Sequence, residues 1–350
     1  MRFLAAGQSE TVGMLKTILL RLLGALPNLI GVVVITFLLT RALPGDPAAF
    51  FAGQAATVEA VEQIREKLGL NKALPEQFIL YLKDLARGDL GQSLSTGQSV
   101  ATEIIQRLPA SIELTFAGLL FAVVIALPLG VLAATRPGSW IDQLCRLVTT
   151  AGVSLPTFFT GLLLSYVFYF LLGIAPSPLG RLDPVFTSPK TITGMYLIDS
   201  LLTGEGTLFW ASFKQIILPA ITMGLFVLAP LARMTRASML GVLSSDFIRT
   251  ARASGLAGST VLYTYAFRNA LLPVVTTLGM VFSFLLGSNV LVEKVFAWPG
   301  IGSYAIESLT ASDYAPIQGF VLTMGVLYVV LNLLIDLSYA MIDPRVILEN

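Results

Sequence analysis

Six apolar runs constrain this chain more than any other feature: Leu22 to Leu39, Ser111 to Thr135, Leu147 to Leu172, Gln215 to Leu240, Leu271 to Val292 and Pro316 to Ile342. A helix crosses a bilayer in about 20 residues, and each run is close to that length or longer. Inside hydrocarbon no water satisfies backbone N–H and C=O groups, so such runs fold as spanning helices that pair every backbone group internally. Composition agrees with this reading. Charged residues make up 12% of the 350, with 55% hydrophobic, where an average soluble domain carries about 25% charged residues. The expected fold is therefore an all-α polytopic membrane protein with six transmembrane helices.

The first run could also be read as a cleaved signal segment. Thr40-Arg41-Ala42-Leu43-Pro44 follows it instead of a small-x-small cleavage site, so a retained span is expected. Residues 1–21 then form a cytosolic N-terminus and residues 22–350 the six-span body. Half of the 22 basic residues fall on one side of such a topology: Arg2, Lys16, Arg21, Arg136, Arg146, Arg233, Arg236, Arg249, Arg252, Arg268 and Arg345. They lie mostly in short loops close to span ends. The positive-inside rule makes that side, with both termini, cytosolic.

Between the first two runs lies a polar region, residues 42–110, too long for a simple connection and expected outside the membrane. Thr57 can cap a helix with Val58, Val61, Ile64 and Leu68 on one face, ending at Gly69. Pro75 and Gly88 bracket a second helix with Phe78, Leu82 and Leu85 along its stripe. The other long external connection, Gly173 to Lys214, reads as irregular surface with one short helix at Tyr196 to Leu202. Pro128, Pro156, Pro219 and Pro230 fall inside apolar runs. Each removes a backbone hydrogen bond, which makes it a candidate hinge, although proline is frequent in membrane helices as a static kink.

The most informative polar stretch is Ser244 to Pro273, SSDFIRTARASGLAGSTVLYTYAFRNALLP, within a cytosolic segment 241–270. Asp246 can accept from the free amides of a first turn, and Gly255 can take the left-handed conformation that ends a helix. That delimits Phe247 to Ser254. So short a helix is unstable alone and must pack on something. Thr250, Ala251 and Ser254 give it a small-residue face that lets another protein approach closely. Arg249, Arg252 and Arg268 offer charge-assisted hydrogen bonds to carboxylates on that protein.

IRTARASG at Ile248 to Gly255, followed by RNALLP at Arg268 to Pro273, resembles the membrane permease subunits of binding-protein-dependent ABC importers, in the dipeptide, oligopeptide and nickel branch. GDP at Gly45 to Pro47, GDLGQS at Gly88 to Ser93, EKVFAWPGIG at Glu293 to Gly302 and DPR at Asp343 to Arg345 match the same branch in order and spacing. The resemblance implies a cytosolic coupling helix seated in a cleft of an ATPase subunit. Its contacts would come from Asp246, Phe247, Arg249, Thr250, Ala251, Arg252, Ala253, Ser254, Gly255 and Leu256. The family's acidic residue is replaced here by Arg249, and Tyr265 stands where the branch often has histidine. Gly45, Asp46, Gly88, Asp89, Gly91 and Ser93 would face an external substrate-binding protein. The other implied partners are a second, related but different permease and two cytosolic ATPases. The implied location is the bacterial inner membrane, and the implied cargo is a di- or oligopeptide.

Chemistry-bearing residues are sparse. The chain has no histidine, one cysteine (Cys145) and a net charge of +1, which leaves no Ser-His or Cys-His pair, no disulfide and no strongly basic surface for nucleic acid. No lysine follows a glycine, so there is no phosphate-binding loop, and ATP is expected on a partner rather than as a cofactor of this chain. An ion-coupled secondary transporter is the alternative. Such a carrier usually places acidic residues or histidine at mid-membrane depth, whereas Glu113, Glu293 and Asp336 fall near span ends. An intramembrane enzyme lacks its nucleophile–base pair and metal ligands here. No catalytic, cofactor-binding or metal-ligating residue is assigned.

Overall fold

The structure is a computed structural model and describes residues 23–24, 26–38, 47–53, 56–67, 69–311 and 313–342. The expectations for residues 1–22, for Gly45 and Asp46, for Leu68, for the Asp336 side chain and for Asp343 to Arg345 lie outside what is described. Among the described residues the protein is helical, and the β pairing consists of an isolated bridge between Gln92 and Ser99.

The chain opens with an apolar helix, α1 (Leu26–Leu38). Three short helices follow: α2 (Pro47–Ala52), α3 (Val58–Lys67) and α4 (Leu74–Ala86). Thr57 Oγ1 accepts from Ala60 N at 3.3 Å, and Gly69 ends α3 with φ +66°. Pro75 sits in the first turn of α4 and Gly88 follows it with φ +76°. These boundaries match the sequence reading, but the faces differ. Val58 and Leu82 point outward, while Gln77 turns in and donates to the carbonyls of Leu70 and Lys72 at 3.1 and 2.9 Å. Those two bonds set the rotation of α4, so that Phe78 and Tyr81 meet Phe37 of α1, with ring centroids 5.0 and 5.7 Å apart.

Two long helices form the centre, α5 (Val100–Thr135) and α9 (Gly206–Leu243), and they make the most extensive helix pair in the molecule. Gly118, Ala122, Ala126, Gly130 and Ala134 recur at every fourth position of α5, and all are buried. A Cβ on Gly118 would press on Met223 and the Ala220 carbonyl, and one on Gly224 of α9 would collide with Phe121. Small residues here let the backbones approach, the usual basis of helix association where lipid offers no hydrophobic drive. α5 starts at Val100 rather than Ser111, because its polar first turns are buried against other elements instead of lying in a loop.

The third apolar run does not form one rod. It divides into α6 (Trp140–Ser154) and α7 (Thr157–Leu164), extended by a π-helical segment Ser165–Leu171, and the two axes are bent by 107°. The break falls at Leu155–Pro156, where proline lacks the N–H needed to continue. By contrast, α5 runs unbroken through Pro128, and α9 through Pro219 and Pro230. Beyond a short helix, α8 (Tyr196–Leu202), α9 begins at Gly206. The connection read as Gly173 to Lys214 is thus shorter and more helical than expected.

After α9 come α10 (Asp246–Ala253), a π-helical turn Thr260–Phe267, α11 (Arg268–Val295), α12 (Ile301–Thr310) and α13 (Tyr314–Ile342). Among the described residues four helices are long and apolar enough to cross a membrane, or five if the bent α6–α7 pair counts as one span.

Candidate functional site: a docking helix at one end of the bundle

The ends of α5 and α9 and the start of α11 converge on one side of the molecule. There, Val131, Ala134, Met239, Val261, Ala266 and Ala270 make an apolar floor. On that floor sits α10. Ile248 and Ala251, one turn apart and 1% and 7% exposed, are its buried residues. The remaining residues of the helix face outward: Asp246, Phe247, Arg249, Thr250, Arg252 and Ala253, with Ser254, Gly255 and Leu256 just beyond it.

This arrangement corrects two expectations. Ala251 is not part of an open small-residue face; it anchors the helix to its own chain, because the i, i+3 spacing places it beside Ile248. Asp246 does not cap the helix. Ser245 holds the cap position, with its hydroxyl donating to Val242 O at 2.5 Å, while Asp246 is the first helical residue and pairs with Arg249 at 3.3 Å in the open. Gly255 does adopt the left-handed conformation, φ +76°, and its N–H reaches Arg252 O at 3.0 Å. Arg252 and Arg268 are exposed and pair with no carboxylate among the described residues.

Beside this seat a buried carboxylate ties α6 to α9. Asp142 accepts from Arg236 Nε at 2.6 Å and Nη2 at 3.0 Å, from Arg146 Nη2 at 2.9 Å and from Gly138 N at 2.9 Å. Ser139 caps α6 by accepting from Asp142 N at 3.4 Å. Arg236, read from sequence only as a topology signal, thus also joins α9 to α6, while Arg146 pairs with Asp142 one turn away within α6.

The opposite end is held by a denser polar framework. Glu113 of α5 accepts from Arg181 Nη2 at 2.5 Å and from Leu197 N at 2.7 Å, and the Arg181 guanidinium lies 3.6 Å over the Tyr196 ring. Glu293, at the end of α11, accepts from Ser111 Oγ at 2.5 Å and from Ser303 N at 2.8 Å in the first turn of α12. Trp298 Nε1 donates to Ala110 O at 2.8 Å. A side chain on Gly300 would collide with the Glu293 carboxylate. The EKVFAWPGIG stretch is therefore a clasp fastening the α11–α12 turn to α5. Tyr304 donates to Glu103, which also accepts from Thr96 Oγ1 at 3.1 Å.

The GDLGQS turn joins the same framework. Asp89 Oδ1 accepts from Gly91 N at 2.8 Å, and Gly88 and Asp89 are exposed. Gly91 packs against Ala315, however, and Ser93 is buried with its hydroxyl donating to Asp313 Oδ2 at 2.7 Å. Ser93 thus serves the fold instead of presenting itself to a partner. Sequence reading noted Glu113 and Glu293 only as falling near span ends and did not consider Glu103 or Asp313. The small-every-fourth stripe of α5 was a legible signal that it did not use.

Long apolar helices packed through small residues, with a short polar-faced helix seated at one end, define a multi-pass helical membrane protein. The particular relationship follows from sequence comparison. The chain belongs to the binding-protein-dependent transport system inner membrane component family, whose profile matches residues 126–348, and the profile of the corresponding N-terminal region matches residues 14–115. It is 45% identical to a probable D,D-dipeptide transport system permease protein of Escherichia coli K12, over 90% of this chain and 93% of that protein. A dipeptide transport system permease protein of Alkalihalophilus pseudofirmus is 41% identical, over 95% and 99%. A glutathione transport system permease protein of Escherichia coli O6:H1 is 37% identical over the same shares. This is an inner membrane transport permease.

Proposed function

We propose that this chain forms half of the translocation pathway of an ATP-driven importer for di- or oligopeptides, and that α10 is the helix through which cytosolic ATPase subunits act on it. One observation carries the reading: among the described residues, Ile248 and Ala251 are the side chains that bury α10 against the bundle, which leaves most of its length turned outward. In this reading α1, α5, the α6–α7 pair, α9, α11 and α13 make six crossings, with residues 1–21 and the C-terminus in the cytosol beside α10. Residues 42–110 lie outside and 241–270 inside. The partners are a second, related permease, two ATPase subunits that hold the ATP, and an external binding protein received near Gly88 and Asp89. Pro156, at the existing break, is the first candidate for a flexing point, ahead of Pro128, Pro219 and Pro230 inside continuous helices. Peptide cargo is supported by the names of the relatives, glutathione being itself a small peptide.

Charge reversal tests the docking role. Arg249→Glu with Arg252→Glu alters exposed side chains only, so membrane levels should hold while ATPase subunits no longer co-purify and uptake falls to background. Full retention and wild-type uptake would refute it. Mass spectrometry of the ligand kept by the co-purified binding protein tests the cargo; a non-peptide ligand would overturn that part alone.

A further inference from the structure

α9 is buried along its middle and exposed near its start, where Trp210, Phe213, Lys214 and Ile217 share one open stripe. The aromatic rings form a cluster: Trp210 to Phe213 is 5.6 Å between centroids, Phe209 to Trp210 5.7 Å and Phe209 to Phe213 6.1 Å. α8 packs beside this turn and leaves Ile198, Leu201 and Leu202 exposed, so the aromatic cluster and α8 make one apolar shelf. Large apolar side chains exposed together on this scale mark a contact surface.

We propose that this shelf is a foot embedded in the headgroup layer of the leaflet opposite α10, and that with Trp140 it fixes the depth of the bundle in the bilayer. The level of the shelf is the main reason. From Trp210 to Arg236 the rise along α9 is roughly 39 Å at 1.5 Å per residue, longer than the hydrocarbon core and just under the about 40–45 Å of a bilayer with its headgroup regions included, so the two ends fall within the opposing headgroup layers. Arg236 is bonded to Asp142, two residues from Trp140, which begins α6 and is 73% exposed. The two exposed tryptophans, Trp140 and Trp210 (59% exposed), are thus about one bilayer apart at opposite ends of the bundle. Trp298, the third, is buried as a hydrogen-bond donor. Between them, the stretch of α9 from Lys214 to Arg233 spans roughly 28 Å, the thickness of the hydrocarbon core.

Residue chemistry agrees with the level. Tryptophan and its aromatic neighbours settle where an apolar ring and a polar N–H are both accommodated, which is the membrane interface. Helical side chains lean toward the helix N-terminus, so the exposed Lys214 reaches back from its Cα toward the same plane, where its ammonium meets lipid phosphate. A soluble partner would not explain why the aromatic cluster and Trp140 are separated by one membrane thickness. The inference rests on α9 crossing the bilayer and not on cargo or ATPase docking, so its outcome is independent of those readings.

Fluorescence quenching tests it. The full chain is reconstituted into phosphatidylethanolamine–phosphatidylglycerol vesicles whose acyl chains carry bromine either near the headgroup or at the methyl end. Trp140→Phe leaves Trp210 reporting over the shielded Trp298 background, and Trp210→Phe leaves Trp140. Each retained tryptophan should lose most of its emission to the shallow bromines, little to the deep ones and little to aqueous iodide. Strong iodide quenching with no lipid quenching, or deeper bromines quenching more, would overturn the proposal. So would loss of the Trp210 lipid signal in the complex purified with its partner subunits, since a protein would then cover the shelf.

Discussion

The two ends of this bundle are built from different interactions. At the α12 end, Glu103, Glu113, Glu293 and Asp313 are buried, and each accepts from a donor far away in sequence: Tyr304, Arg181, Ser111 and Ser93 in turn. At the α10 end, among the described residues, Asp142 is the carboxylate that performs that task, and the outermost helix rests on two apolar side chains. Buried charges held by several fixed donors give a framework whose removal is penalised heavily, whereas a small apolar seat can shift at little cost. The contrast fits the proposed role, in which the far side holds its shape and the near side moves with an ATPase subunit. Local stability varies in this way wherever one part of a protein is a scaffold and another is a moving contact.

The largest effect should come from breaking the framework. Glu113→Ala leaves the buried Arg181 without its carboxylate and Leu197 N without an acceptor. Removing one partner of a buried ion pair typically costs about 3–5 kcal/mol, so this variant should melt far below the parent in detergent and be recovered in low yield. An unchanged midpoint would mean that the Arg181 contact does not organise this end. Asp142→Asn probes the other end. It removes the charge that accepts from both Arg236 and Arg146, and charge-assisted hydrogen bonds contribute about 1.5–3 kcal/mol each. A smaller loss is expected, because Arg146 is largely exposed and recovers water. A melting shift as large as that of Glu113→Ala would erase the distinction between the ends.

Acid should act first on the connection between α7 and α9. Burial pushes the Asp199 carboxyl up, but donation from the Thr193 hydroxyl and from the Thr193, Ile192 and Gly194 N–H groups outweighs it and holds the group below its ordinary 3.8. A depressed folded value contributes stability that is fully present above 3.8 and is lost as pH falls through the folded value. An acid-active protease should therefore begin to cut between 173 and 205 only below that pH, and Asp199→Asn should remove the pH dependence. Cutting that sets in well above the ordinary aspartate value would point to a different titrating group.

What the sequence made legible follows the reach of each interaction. Local signals were enough for Thr57 and Gly69 around α3, for Pro75 and Gly88 around α4, for Tyr196 to Leu202 and for the left-handed Gly255, since each depends on its own turn. Span length was legible, but the break at Pro156 was not distinguished from the unbroken passages at Pro128, Pro219 and Pro230. A proline's effect depends on what packs around the freed carbonyl, and that is tertiary. For the same reason Ala251 was placed on the open face. Helical spacing shows that it shares a side with Ile248, but not that this side meets Met239 and Val261. Ser93, Glu113 and Glu293 find partners across distances that no short motif encodes.

The smallest effect on the fold, and the sharpest question about the α10 end, belongs to Gly255→Val. Nothing lies within 4 Å of a Cβ placed there, so the substitution meets no neighbour and acts only through φ +76°. A side chain in that conformation costs about 1 kcal/mol or more, with a β-branched residue at the upper end. The helices that carry the bundle do not contain Gly255, and their packing supplies the stability, so melting and membrane levels should stay near the parent. The strain falls instead on the exit from α10. The chain relieves it by turning Ser254 and Leu256 away from their present course, which rotates a helix whose buried anchors are Ile248 and Ala251. ATPase co-purification and uptake should therefore drop while the protein remains folded, the reverse of the pattern expected for Glu113→Ala. Parent-level uptake with bound ATPase subunits would show that the position of α10 is set by something other than its own termination, and a collapse in melting would show that the seat belongs to the framework after all.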